Sequence, residues 1–196
     1  MWIAKGVITV IKEEKTSIIG IGIDQGIANC GYGLVKLDAN DQIHVLDSGT
    51  IITESSEMLP QRILLLYEKI TSLIHETEIP ISIIGCEKLF FNPVQKKTGK
   101  PQRNKSASIV YTNMATGLLC LIAGQQGVPL KEFVPGTVKK YVAGHGRADK
   151  ELVEESILQY LDYVPKTSHE SDGIAIGITA VKYYRELQMK MKKESS

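Results

Sequence analysis

Ile18-Ile19-Gly20-Ile21-Gly22-Ile23-Asp24-Gln25-Gly26 sets four isoleucines in the six positions before a single carboxylate and closes on a turn glycine. With no polar face for water, the run reads as a fully buried strand. A carboxylate at the end of such a strand needs hydrogen bonds or a cation to offset its desolvation. The local alternative is an Asx-turn, in which Asp24 bonds its own backbone before Gly26. Both readings stand until the other acids of the chain are considered.

Working outward, Gly31-Tyr32-Gly33-Leu34-Val35-Lys36-Leu37, the turn Asp38-Ala39-Asn40-Asp41 and the alternating run 42–52 read as a hairpin. Three consecutive antiparallel strands result, the first bearing Asp24. Leu59, Ile63, Leu66, Ile70 and Leu73/Ile74 then recur at helical spacing between Met58 and Glu76, the pattern of an amphipathic helix lying on a sheet. After Pro80, Ile81-Ser82-Ile83-Ile84-Gly85-Cys86-Glu87 repeats the first design, a buried run ending in one acid. Parallel strands in an α/β sheet deliver such ends to the same edge.

A third acidic position lies near the C-terminus. In Pro165-Lys166-Thr167-Ser168-His169-Glu170-Ser171-Asp172, Thr167 and Glu170 have capping-box spacing, so His169 and Asp172 fall in the first two turns of a helix, three residues apart on one face. Acids there complement a helix dipole, and a lone His is usually a surface residue. The following Gly173-Ile174-Ala175-Ile176-Gly177-Ile178-Thr179-Ala180 is small and apolar nearly all round, however, so this helix start is packed into the protein. An unpartnered Asp172 there is costly.

The remaining segments frame these acids. Residues 1–16 form an N-terminal arm or an extra edge strand, 17–190 a single domain, and 191–196 a disordered tail. Residues 107–126 form a helix whose inner face is read as Val110, Met114, Gly117/Leu118 and Leu121. Residues 129–134 form a fifth strand, Pro135-Gly136-Thr137 opens a short helix, and 144–150 leads into a helix through about Asp162. The two glycines flanking His145 do not have phosphate-loop spacing. Val94 to Ser106, rich in Gly, Pro and Lys, reads as a mobile loop.

A formal net charge of +1 conceals an asymmetry. Residues 88–150 hold eleven Lys or Arg against two acids, a balance of +9, which leaves −8 for the rest. A charge run is commonly a solvated face, yet a block this concentrated focuses positive potential suited to a nucleic acid. Its candidate DNA contacts are Lys96, Lys97, Lys100, Arg103, Lys105, Lys139, Lys140, Arg147 and Lys150, and one of the adjacent Phe90 and Phe91, more often core residues, could serve as a stacking wedge at a cleft rim. Three widely spaced cysteines, Cys30, Cys86 and Cys120, in no metal-binding pattern, point to reduced thiols in a cytoplasmic protein. No stretch is apolar enough to span a membrane and no secretory leader is evident.

Asp24, Glu87 and Asp172 with His169 would repel one another without a cation. Oxygen-rich ligation of this kind suits Mg²⁺ or Mn²⁺. Two such ions about 3.5 to 4 Å apart stabilise the attacking and leaving oxygens of a phosphodiester displacement.

The chain resembles the RuvC family of Holliday junction resolvases. The resemblance rests on Gly22-Ile23-Asp24-x-Gly26 with Gly31-Tyr32-Gly33, Glu87-Lys88-Leu89-Phe90, Thr137-Val138-Lys139 with Gly146-Arg147-Ala148-Asp149-Lys150, and His169-x-x-Asp172-Gly173-Ile174-Ala175-Ile176, in the family's order over roughly residues 18 to 185. It implies an α/β, ribonuclease H-like fold: a mixed five-stranded sheet, three antiparallel strands then two parallel, flanked by helices. It further implies an endodeoxyribonuclease resolving four-way DNA junctions by paired symmetric nicks, in recombination and repair, leaving 5′-phosphate ends. Asp24, Glu87, His169 and Asp172 would form the catalytic metal site, holding two Mg²⁺ with Mn²⁺ able to substitute. Lys139 and Lys150 would meet DNA near the cut and Phe90 would stack into the opened junction. The implied partners are branched DNA, a second copy packed through the helix after Ser106, and branch-migration motor proteins.

Two departures qualify the match. Gln25 stands where the family usually has Pro, which is expected to change turn rigidity and not the ligands. The basic loop after Phe91 is longer than usual and, with the N-terminal arm, suggests a divergent branch carried by a phage or another mobile element. Among rival readings, sugar kinase and actin-like proteins share the Asp-x-Gly hairpin but need two such domains. A ribonuclease H-like nuclease for other branched DNA or for RNA would use the same residues, and a non-catalytic scaffold would have no need to keep the acids.

Overall fold

The computed structural model describes residues 16–77, 79–88 and 103–194, with only the backbone course for 103–108. The N-terminal arm up to residue 15, Phe90, Phe91, Lys96, Lys97 and Lys100 lie outside the described residues, as do the side chains of Arg103 and Lys105.

Strands β1 (Ile18–Asp24), β2 (Asn29–Leu37), β3 (Ile43–Ile52), β4 (Ile83–Glu87) and β5 (Leu130–Phe133) form one sheet in the order β3-β2-β1-β4-β5. The pairs β1/β2 and β2/β3 are antiparallel, and β1/β4 and β4/β5 are parallel. The mixed sheet expected from the family resemblance is therefore present. Asp38 closes the β2–β3 turn by accepting bonds from Asn40 and Gln42 N–H at 2.8 and 2.9 Å.

Side-chain alternation sorts β1 between two cores. Ile19, Ile21 and Ile23 pack under α1 (Leu59–His75) and α2 (Arg103–Gln126), against Leu66, Ile70, Leu119 and Ile122. Ile18 faces the other way, towards α5 (Ser168–Glu194) and its Ile174, Ile178 and Val181. Gly20 and Gly22 share that second face. A Cβ on Gly22 would overlap the backbone of Gly173 and Gly177, so only a glycine pair lets α5 lie this close to the sheet. Short helices α3 (Pro135–Ala143) and α4 (Lys150–Leu158) complete this layer, Asp149 capping α4 through Leu152 N–H at 2.9 Å.

Four expectations need correction. The inner face of α2 is Ala115, Leu118, Leu119, Ile122 and Ala123, while Val110, Met114 and Leu121 are 50%, 41% and 55% exposed. Helical spacing alone could not choose between two apolar stripes on one helix. α2 also begins at Arg103, so Arg103 and Lys105 belong to a helix and not to a loop. After Pro101, no proline or glycine interrupts the chain until Gly117. α4 stops at Leu158, short of Asp162, and the hydroxyl of Tyr163 in the following loop bonds Ser48 Oγ on β3. Finally, α5 remains helical through Glu194, past the domain end expected at 190. No helix among the described residues is long and apolar enough to cross a membrane.

Candidate active site

The alternation that puts Gly20 and Gly22 under α5 continues to Asp24, which emerges on the same face at the strand end. On β4, Gly85 faces Ala180 and Ile176 of α5, and Glu87 follows two residues later. The β1/β4 backbone register runs to Ile23↔Cys86, so Asp24 and Glu87 occupy the next step on neighbouring strands. The first turn of α5 lies over the same edge, because a Cβ on Gly31, the β2 partner of Asp24, would overlap the His169 carbonyl. Two strand ends and one helix start thus converge.

His169 Nδ1 lies 2.6 Å from Asp24 Oδ2. This contact decides against the local Asx-turn as the whole account of Asp24. The α5 start is fixed by Thr167, whose hydroxyl accepts from Glu170 N–H at 3.0 Å as the capping-box spacing predicts. The reciprocal half differs. Glu170, only 5% exposed, accepts from Lys166 N–H at 2.8 Å and Ser48 Oγ at 2.7 Å, which ties the helix start to β3.

Beside these residues is a cleft of about 310 Å³ whose walls include Glu87, Asp172, Lys139 and Lys150. Asp24 and His169 are outside its lining. Burial pushes the Glu87 carboxyl above the usual carboxylate range, with repulsion from Asp24 and Asp172 adding to the shift. Asp172 is shifted upward too, by desolvation and then by Asp24, against the opposing pull of Lys150 and His169. It is open to solvent along the cleft, yet the surrounding protein displaces much of its hydration. Lys150 lies 3.8 Å from Glu154, an exposed pair on α4 that leaves the ammonium beside the cleft. Lys140 and Arg147 are exposed, in α3 and the α3–α4 loop, and do not line it.

The donor set matches a hard divalent cation in kind: three carboxylates, two of them held above the usual range by burial and by neighbouring acids, and an imidazole. No group of three or more His, Cys, Asp or Glu among the described residues stands close enough to enclose an ion as the side chains lie. The residues fit through donor type and the repulsion a cation would relieve.

One participant escaped the sequence reading. Gln25, expected to affect turn rigidity alone, bonds the backbone of Glu87 on both sides: Glu87 N–H donates to Oε1 at 3.0 Å, and Nε2 donates to the Glu87 carbonyl at 2.6 Å. The only sequence signal was a long amide directly after the strand-end acid.

This strand order, with acids at the ends of the central parallel strands and on the helix crossing them, is that of the ribonuclease H-like class. Among solved structures, Thermus thermophilus RuvC in complex with Holliday junction substrate superposes with a TM-score of 0.74 at 25% identity, over 86% of this chain and 96% of that one. The yeast mitochondrial Holliday junction resolvase, at 13% identity and a TM-score of 0.57 over 92% and 87% of the two chains, shares the fold. The RuvC protein of Desulfitobacterium hafniense is 34% identical over 160 residues, 81% of this chain and 88% of the relative. The family model for crossover junction endodeoxyribonuclease RuvC matches residues 19–180. The chain belongs to the RuvC family of crossover junction endodeoxyribonucleases, hydrolases of DNA that depend on divalent metal.

Proposed function

We propose that this chain resolves four-way DNA junctions by paired nicks, with Asp24, Glu87, His169 and Asp172 as the catalytic set. The observation that carries this reading is the convergence of those four residues at one sheet edge beside Lys139 and Lys150. They would hold two Mg²⁺ ions, with Mn²⁺ able to substitute; bound metal supplies Lewis-acid polarisation of the phosphate and an acidified water as nucleophile. His169 fixes the Asp24 carboxylate through its 2.6 Å contact. Lys139 and Lys150 bind the phosphates flanking the cut and orient the strand across the cleft.

Two symmetric nicks require two sites, and α2 offers the means. Its exposed Val110, Met114, Gly117 and Leu121 recur in steps of four, three and four, the spacing of a helix–helix seam, and among the described residues nothing fills the space beside Gly117. A second copy of this chain packed on that seam gives the C₂ arrangement that paired cutting needs.

The test is cleavage of a synthetic four-way junction in Mg²⁺ beside a fork, a linear duplex and a single strand of matched sequence, using the native chain and Asp24→Asn. Paired nicks confined to the four-way junction, abolished in the variant while junction binding persists, are expected. Cutting of every branched form would replace the reading with a general branched-DNA nuclease. Retained cutting by the variant would remove Asp24 from the mechanism.

A further inference from the structure

We infer that Gln25 is a positioning residue: its side-chain amide acts as one extra rung of the β1/β4 ladder and sets the backbone of Glu87 against Asp24. The inference rests on the assignment of Glu87 to the metal-binding set. The last backbone pairing between these strands is Ile23↔Cys86, and after Asp24 the β1 chain leaves the sheet. Glu87 therefore lies level with Asp24, one step past the last backbone pair. A primary amide presents a donor and an acceptor in one plane, as a peptide group does. Gln25 uses both, accepting from Glu87 N–H at 3.0 Å and donating to its carbonyl at 2.6 Å.

On the opposite side Glu87 is held by β5, in register with Phe133, and Lys88 N–H donates to the Phe133 carbonyl at 2.8 Å. With Gln25 in place, the backbone of Glu87 is braced from both neighbours, and its carboxylate is left to move about its own side-chain torsions. Gln25 is only 5% exposed, so little water competes for these bonds. The brace also has a force to resist. Repulsion from Asp24 and Asp172 acts on the last residue of a five-residue strand. Replacing Gln25 by Asn shortens the reach by one methylene, and Met fills the space with no donor. Either leaves the Glu87 backbone free to shift and presents the carboxylate in several positions.

The test uses the full chain and the Gln25→Met and Gln25→Asn variants, free of DNA. Mn²⁺ affinity is measured by calorimetry, with melting temperature as a control, and amide hydrogen exchange at Glu87 is followed in the native chain. Loss of supporting interactions around a ligand is expected to weaken Mn²⁺ binding by about tenfold in both variants, beyond any change in melting temperature. The Glu87 amide should exchange as slowly as those of Ile84 and Cys86. A lowered melting temperature with Mn²⁺ affinity within about twofold of native would reduce Gln25 to a packing residue and overturn the inference. Rapid exchange at Glu87 would overturn it even if neither variant folds. A native chain that binds no Mn²⁺ would instead refute the metal assignment, with the exchange rate still judging the brace.

Discussion

Glu87 and Asp172 carry the electrostatic cost of the cleft, and that cost sets a pH dependence. Both carboxyls titrate above their ordinary values through burial first and neighbouring acids second. A group whose folded pKa is raised binds its proton more tightly in the folded state. Its contribution to stability is fully present below the unfolded pKa and is lost as pH rises through the folded value. The metal-free protein should therefore lose stability from these groups as pH climbs out of the carboxylate range towards neutrality. Glu87→Gln keeps the shape and removes the charge. At pH 7 without divalent metal it should melt higher, by about 0.5–1 kcal/mol after allowance for solvent screening, with no gain below about pH 4. Thermal melts of both proteins across that range check the sign. A variant less stable than the native chain at neutral pH would show that the carboxylate is already compensated.

At the scale of elements, the site depends on how closely α5 approaches the sheet. Gly22, Gly31 and Gly33 on the strands and Gly173 and Gly177 on α5 are residues where backbone meets backbone. Gly22→Ala puts a methyl into the backbone of α5, and the helix must move. Overpacking of this kind should cost about 1–3 kcal/mol and, because His169 and Asp172 ride on α5, lower cleavage more than junction binding. Chemical denaturation and paired binding and cutting assays measure the two effects. α2 raises a different issue, since it has an apolar stripe on each side. Leu121→Glu alters only the exposed one, 55% open to solvent in the single chain. It should convert a dimer to a monomer in sedimentation while leaving the fold intact; an unchanged mass would refute the seam.

Across the whole molecule, charge and topology divide the explanation. The +9 balance of residues 88–150 lies in one continuous part of an otherwise acidic chain. If it meets phosphates, junction affinity should fall with a log–log salt slope of about −4 or steeper, and a slope shallower than about −2 would show that it does not. This charge asymmetry was legible from the sequence, as were the strands themselves, the strand-end acids and the capped helix start, because alternation, turn chemistry and capping are local properties of the chain, while the mixed pairing of the sheet was expected from the family resemblance. The glycine motif was equally visible, but its reason was not: Gly22 and Gly31 answer to α5, whose closest residues lie more than a hundred positions away. The two faces of α2 could not be told apart, since both are apolar at helical spacing and only the sheet decides which is covered. Nor could Gln25 be read, because hydrogen bonds across 62 residues leave no periodic trace. The sequence by itself determined that β1 and β4 end in acids and that α5 opens on a capped turn bearing His169 and Asp172, for those are set by neighbours along the chain. The tertiary structure alone decided that Asp24 meets His169, that Gln25 holds Glu87 and which stripe of α2 stays open, since packing brings together groups that have no local reason to meet.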